Sequence, residues 1–279
     1  MTLPRYHQHK QQNDSSPSPQ KMYIKSLPQA QKTTSPHFIF STKTPNIKAK
    51  MTFTIRPATE HDAAELATIN IASFRHQPFW KNLFPSATNS TKDITTALPL
   101  KTARCLSKLA APEVHVLVAT DTTTGKIIGY ARWAFPASDK ETSIVELSAE
   151  GKELFEKHDN GKAFPEDMRR DVYEAFWKML KDKSEVLVQE KDFVLEFLAT
   201  LPEAQGKGVG TALLKWGIEQ ADKRNARVYL EATEDGYALY KKYGWEDLEV
   251  MEMDFEEFGG AGRQKWIAMM RGRAGEGDA

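Results

Sequence analysis

The chain has 279 residues, 40% hydrophobic and 27% charged, enough for one large domain or two small ones with an ordinary core. Its zero formal charge hides an asymmetry: residues 1–50 carry eight Lys/Arg against Asp14 alone, and the remainder carries 30 basic against 37 acidic residues. An acidic body argues against a nucleic-acid binder, the lone Cys105 excludes intrachain disulfides and cysteine-rich zinc sites, and no run approaches the ~18 apolar residues of a membrane span.

Residues 1–50 hold six of the fourteen prolines together with many Gln, Ser and Thr, a composition that cannot bury enough apolar surface to order itself. They read as a disordered basic tail. The tail lacks the apolar core of a secretory signal; it is acidic-poor like a mitochondrial transit peptide, but Arg5 is its only arginine. A cytoplasmic protein is the expectation, with mitochondrial targeting as the alternative. The composition changes at Met51, where Thr52–Arg56 alternates as a strand does, and a domain is expected over 51–273 with a flexible end at 274–279.

Within that domain, Thr59-Glu60-His61-Asp62 has the form of a capping box with Asp in place of Glu, opening a helix that carries Leu66, Ile69, Ile71 and Phe74. A second helix is expected near 92–110, disturbed by Pro99. Val114–Val118 and Lys126–Phe135 read as a hairpin turning at Asp121–Gly125. Residues 136–190 form a charged helical insert with apolar Val172, Phe176, Met179 and Leu180. A strongly apolar strand at Phe193–Ala199 follows. Then come a glycine turn, a helix over about 208–224, a strand at Arg227–Ala232, a short helix near 235–243, and strands at Trp245–Phe255 and Trp266–Met270. Helices and strands in this order predict an α/β (α+β) domain, a mixed central sheet flanked by helices.

The chemistry concentrates at Gln205-Gly206-Lys207-Gly208-Val209-Gly210. A strand that enters a glycine turn from which a helix starts aims free N–H groups and the positive end of the helix dipole at one place, an anion site. The dinucleotide spacing G-x-G-x-x-G fails from Gly206 because its last position is Thr211, and from Gly208 because it is Leu213. A P-loop fails because Lys207 is followed by Gly208. What matches is Gln-x-x-Gly-x-Gly, between an apolar strand and an amphipathic helix with Ala212, Leu213, Leu214, Trp216 and Ile218. It resembles the pyrophosphate-binding motif of the GNAT acetyltransferases. Leu239-Tyr240-Lys241-Lys242-Tyr243-Gly244-Trp245 resembles that family's closing motif, with Trp245 for the usual Phe; the Asn often found before the closing helix is replaced by Thr233-Glu234-Asp235-Gly236.

The resemblance implies an acetyl-CoA-dependent N-acetyltransferase without a metal. The backbone of Leu198, Ala199 and Thr200 would meet the pantetheine arm beside a splayed neighbouring strand. Gln205, Gly206, Lys207, Gly208, Val209, Gly210 and Thr211 would hold the pyrophosphate, and Tyr240 would reach the sulfur and protonate the leaving thiolate. A non-catalytic acyl-CoA sensor and a peptide acetyltransferase are the alternatives. For the general base, Glu196 leads because it lies two residues before Leu198 and would share its face; Glu231 and Glu234 stand second. Phe74, Phe79, Trp80 and Phe84 fall where the family's substrate loop lies, so Phe79, Trp80 and Glu231 are candidates for lining the site of a small-molecule amine. His76 and His115 read as packing or surface residues, and Tyr237 as packing. The oligomeric state, monomer or homodimer, is not legible.

Overall fold

Seven apolar segments build one sheet: β1 (Phe53–Pro57), β2 (Val114–Asp121), β3 (Ile127–Ala134), β4 (Phe193–Thr200), β5 (Val228–Ala232), β6 (Trp245–Asp254) and β7 (Arg263–Arg271), in the order β1-β2-β3-β4-β5-β7-β6. All neighbouring pairs are antiparallel except β4 and β5, whose parallel pairing requires the crossover helix between them. The computed structural model describes residues 52–85, 92–136, 145–158 and 164–275, with backbone alone over 92–96. The expected tail at 1–50, residues 276–279 and parts of the 136–190 insert lie outside the described residues.

The helices are α1 (Ala63–Phe74), α2 (Pro78–Leu83), α3 (Lys92–Leu109), α4 (Ala149–Lys157), α5 (Arg170–Leu187), α6 (Val209–Lys223) and α7 (Glu234–Lys242). The capping box ahead of α1 forms as expected, and Arg56 adds a two-pronged grip on Asp62 at 2.7 and 2.9 Å. Pro99 is tolerated inside α3. The helix α2 has no periodic signal in the sequence; Pro78 at its first turn, where a missing N–H does no harm, starts it. Tyr243 closes α7, and β6 gives way after Asp254 to a 3₁₀ turn at Phe255–Phe258.

Strand alternation sends side chains to two layers. On one face Leu117, Ala131, Trp133, Phe193, Leu195, Val228, Leu230 and Met269 meet α6 and α7 through Leu213, Leu214, Ile218 and Tyr240. Here α6 comes so close that a Cβ at position 217 would overlap the Trp133 ring, so Gly217 sets the depth of the helix on the sheet. The other face carries two clusters. Tyr130, Val116, Val118 and Ala199 pack with α1 and α3, whereas Tyr229, Trp266, Ala268 and Met270 pack with Trp80, Leu83, Val172 and neighbours from α2 and α5. The insert thus contributes α5 to the α2 side of the sheet.

Candidate active site

The site grows from one clamp. At the N-terminal ends of β4 and β5, buried Asp192 holds Arg227 through both carboxylate oxygens (3.0 and 2.5 Å), and Phe193 N–H donates to the Arg227 carbonyl at 3.0 Å. The two strands then pair only at Phe193–Val194 with Val228–Tyr229. Beyond that point β4 continues to Thr200 on β3 alone, so its backbone from Leu195 onward has no strand partner on the β5 side. Leu198, Ala199 and Thr200 therefore line a gap in the sheet. Ser73 Oγ of α1 donates to the Thr200 carbonyl at 3.0 Å and fixes this end of β4.

A 3₁₀ turn at Pro202–Ala204 carries the chain from β4 into the glycine segment. Gly206 (φ 70°) and Gly208 (φ 87°) take left-handed conformations that a side chain resists, and Gly208 is the N-cap of α6. A Cβ on either would project into open space, so the concave side of the turn is accessible. The first N–H of the helix to bond back is that of Ala212, to Gly208 at 3.0 Å, leaving those of Val209, Gly210 and Thr211 without intrahelical acceptors. Gly210 is wedged where a Cβ would sit 3.8 Å from Thr200 Cγ2 and 3.9 Å from Leu239 Cδ2, so β4, α6 and α7 converge on the turn. Open strand edge and open turn are continuous: they fit an elongated acyl carrier ending in phosphates. Gln205, Gly206, Lys207 and Gly208 are exposed along this rim.

Tyr240 follows Leu239 on α7. Its ring lies against Gly236, one turn earlier, and 6.0 Å from the Trp245 ring, and burial raises its pKa well above the usual phenol value. It stays protonated at any physiological pH. Tyr237 packs, partly buried, against the same core, and its hydroxyl donates to Asp247 at 2.8 Å.

The acids separate sharply. Between β3 and β4 the register passes from Arg132↔Phe197 to Trp133↔Leu195, so Glu196 is the extra residue of a β-bulge. The bulge breaks the two-residue alternation. Glu196 does not share a face with Leu198 as expected: Leu198 packs toward α6 with the Trp133 cluster, while Glu196 turns to α3. There its two oxygens meet Lys108 Nζ at 2.7 Å and Arg132 Nε at 2.6 Å. Burial works to raise its pKa, but Arg132 and Lys108 outweigh it and hold the carboxyl below its ordinary value. A carboxylate neutralised by two cations is a weak proton acceptor.

Glu231 is different. It sits on β5 opposite Ala268, on the face of Tyr229, whose hydroxyl lies beside its carboxyl. No cation is paired with it among the described residues. Burial, reinforced by the charge of Glu196 and opposed by the Tyr229 contact, pushes its pKa up to about 7. Glu234, its companion among the second-choice acids, is exposed at the start of α7.

Phe79 packs on Phe176 of α5 (ring centroids 4.3 Å apart) and edge-on to Trp266 of β7 (6.0 Å). Trp80 is buried beside Phe84. Both belong to the aromatic cluster that includes Tyr229, so the structure brings Phe79, Trp80 and the face of Glu231 into one region. Hydrogen bonds tie its border: Asp235 at the start of α7 accepts from Gln77 Nε2 (3.0 Å) and lies 2.9 Å from His76 Nε2, and Gln264 bridges Gln77 and the Phe79 N–H. His115 stacks on Phe135 (3.9 Å) as a packing residue. Cys105 is buried with its thiol pushed up to about 11, chiefly by desolvation, which makes it a poor nucleophile. Sequence reading missed Ser73, Lys101, Lys108 and Arg132, because each acts through contacts 64 to 127 positions away or, for Lys101, through a ring on another helix. Among the described residues, no group of three or more His, Cys, Asp or Glu side chains could hold a metal.

The sequence profile described as the Acetyltransferase (GNAT) family matches residues 80–245. A solved structure from Corynebacterium glutamicum, described as histone acetyltransferase HPA2 and related acetyltransferase, superposes with a TM-score of 0.52 at 23% identity, covering 80% of this chain and 98% of that one. Arylalkylamine N-acetyltransferase 2 from Aedes aegypti superposes with the same score, 0.52, at 14% identity, covering 79% and 98%. At these identities the likeness concerns the fold. A protein of Ajellomyces capsulatus named probable acyltransferase SID5 is 40% identical over 42 residues, 15% of this chain and 31% of that protein. The matched stretch thus spans under a third of that relative. Because the family match extends over more than half of the chain and takes in the splayed strands, the glycine turn and Tyr240, the chain belongs to the GNAT family of acetyltransferases.

Proposed function

We propose that this protein is an acetyl-CoA-dependent N-acetyltransferase that acetylates a small-molecule amine by direct attack within a ternary complex. The observation that carries the reading is the divergence of β4 from β5 just ahead of the Gln205–Gly210 turn. The free β4 edge at Leu198–Thr200 offers backbone partners to a pantetheine amide chain, and an N–H there would polarise the thioester carbonyl. The N–H groups at Gly206–Thr211, with Lys207, hold the pyrophosphate.

Proton handling then falls to two residues on opposite sides of the gap. An alkylamine with a pKa near 10.4 is mostly charged at neutral pH and must lose a proton to attack. Glu231 takes that proton, directly or through a water, and its carboxyl near pH 7 suits the task better than the cation-bound Glu196. As the C–N bond forms and the C–S bond breaks, Tyr240 gives its proton to the departing thiolate. The side of the sheet covered by α2 and α5 receives the acceptor, and the packing of Phe79 on Phe176 favours a small molecule over an extended chain.

Thiol release from acetyl-CoA, followed with a panel of primary amines, aryl amines and amino-terminal peptides, tests the reading. Amine-dependent release is expected, with Tyr240→Phe lowering turnover while acetyl-CoA affinity stays nearly the same. Tight CoA binding without release across the whole panel would assign a non-catalytic acyl-CoA sensor. Thermal stabilisation by ATP or NAD but not by CoA would sink the cofactor assignment.

A further inference from the structure

We propose that the acceptor amine carries an anionic group, a carboxylate or a phosphate, received by Lys101 of α3 and the Trp80 indole; this rests on the assignment of the α2–α5 side as the acceptor side.

The sheet face that bears Glu196 and Glu231 is crossed by α3, which sends Lys101, Arg104 and Lys108 toward it, and Arg132 rises from β3 below. Glu196 already serves Lys108 and Arg132, one oxygen each. Arg104 lies 4.4 Å over the Tyr173 ring of α5 and 6.0 Å from Phe164. Lys101 is left with aromatic company: its ammonium stands 5.5 Å above Trp80, and no carboxylate lies within ion-pair distance among the described residues. A ring face is a modest substitute for a carboxylate around a half-buried ammonium, and the like charges of Arg104 and Arg132 make the position worse. Burial first, then Arg104 and Arg132, bring the Lys101 pKa down to about 7.

A second, independent orphan stands beside it. Trp80 is 4% exposed, and its Nε1–H finds no acceptor. Buried indole N–H groups are ordinarily bonded. An ammonium without an acid, 5.5 Å from the centre of the ring whose indole N–H lacks an acceptor, shares one need with it: an oxyanion. The ligand that enters this side is the acceptor, so the anionic group belongs to it, at the opposite end from the amine that faces Glu231.

The test is a matched series of ω-amino carboxylates, ω-amino phosphonates and plain alkylamines of equal chain length, assayed by thiol release from acetyl-CoA. The anionic members are expected to exceed the alkylamines in kcat/KM by about tenfold or more, the scale of a charge-assisted hydrogen bond. The better of the two anionic arms identifies the group. Lys101→Met should bring the ratio toward one, Lys101→Arg should retain it, and Trp80→Phe, which keeps the ring and removes the N–H, should lower it in part. Should Lys101→Met fail to fold, Lys101→Gln and the wild-type ratio carry the same decision. Equal or better turnover of the alkylamines, or a ratio unmoved in the Lys101 variants, overturns the inference and leaves the transferase reading intact. If no amine releases thiol, calorimetric titration of the same series into the CoA-bound protein decides. Preferential binding of the anionic members, lost in Lys101→Met, upholds the inference while the transfer reading fails; indifference to the anionic group overturns it.

Discussion

The two sides of the gap between β4 and β5 are built by different means. On the α6 side the open groups belong to the backbone: a strand edge freed at Leu195, two left-handed glycines and the first turn of a helix. On the α3 side they come from side chains drawn from four elements, with Lys108 reaching Glu196 across 88 positions and Arg132 reaching it across the bulge. Backbone geometry is set by short-range rules and accepts few substitutions. Side-chain electrostatics depend on what else is buried nearby. The contrast is sharpest in the two acids, Glu196 and Glu231. They share a face, and the charge of Glu196 adds to the burial that raises Glu231, yet Glu196 is held as a carboxylate by two cations while Glu231 is pushed up to about 7.

Replacing each acid by its amide should separate them most clearly. Glu231→Gln is expected to lower kcat/KM by about 10²- to 10⁴-fold, the usual contribution of a general base, and to abolish the rise in rate through pH about 7. Steady-state kinetics from pH 5.5 to 9 measure both, and a wild-type profile flat through that range would remove Glu231 from the base role. Glu196→Gln should act on stability instead. It leaves Arg132 and Lys108 facing each other uncompensated, and denaturant unfolding should show a loss of about 3 kcal/mol, toward the lower end for a broken buried pair because Lys108 is 37% exposed. An unfolding midpoint equal to that of wild type would mean the bulge pair is dispensable.

The α6 side yields smaller effects. Tyr240→Phe should cut turnover by about 10- to 100-fold, less than the base, because water can deliver a proton to a thiolate. Rapid-quench measurement of the chemical step is the check, and equal rates would leave Tyr240 as a packing residue. Gly208→Ala forces a Cβ onto φ 87° at the cost of about 1–2 kcal/mol, seen as a lower Tm and a higher KM for acetyl-CoA. An unshifted KM would detach the turn from cofactor binding.

The smallest effect is a pH dependence of stability with a defined sign. Glu231 has a folded pKa of about 7 against an ordinary value of 4.5, so the native state binds more protons than the unfolded chain between those limits. Stability from this group is therefore full below about pH 4.5, declines as pH rises, and is lost above about 7. Glu231→Gln, which lacks the penalty, should exceed wild type at pH 8 by on the order of 1–2 kcal/mol and match it near pH 4.5. The same substitution thus harms activity and helps stability, the reverse of what is expected of Glu196→Gln on stability.

Most of the fold was legible because it rests on local signals. Alternation marked the strands, the Thr59–Asp62 box marked the start of α1, and the glycine turn marked the start of α6. The helix α2 was not legible, since six residues opened by a proline show no period. The face of Glu196 was misjudged for a related reason. Its parity depends on a bulge that arises only when β4 meets β3, and nothing within Phe193–Thr200 announces it.

What the sequence by itself determined is the strand–turn–helix half of the candidate site: the strand, the turn, the helix and Tyr240 lie within 48 consecutive residues, from Phe193 to Tyr240, and obey rules of backbone conformation that each segment carries within itself. Only the tertiary structure decided the half built from side chains. Whether Glu196 or Glu231 can accept a proton, and whether Lys101 has a partner, depends on the charges and the dryness of the space around them, and those are supplied by α3, α5 and β3 from far along the chain. A local sequence pattern specifies dihedral angles, whereas a proton affinity is a property of the whole surrounding field.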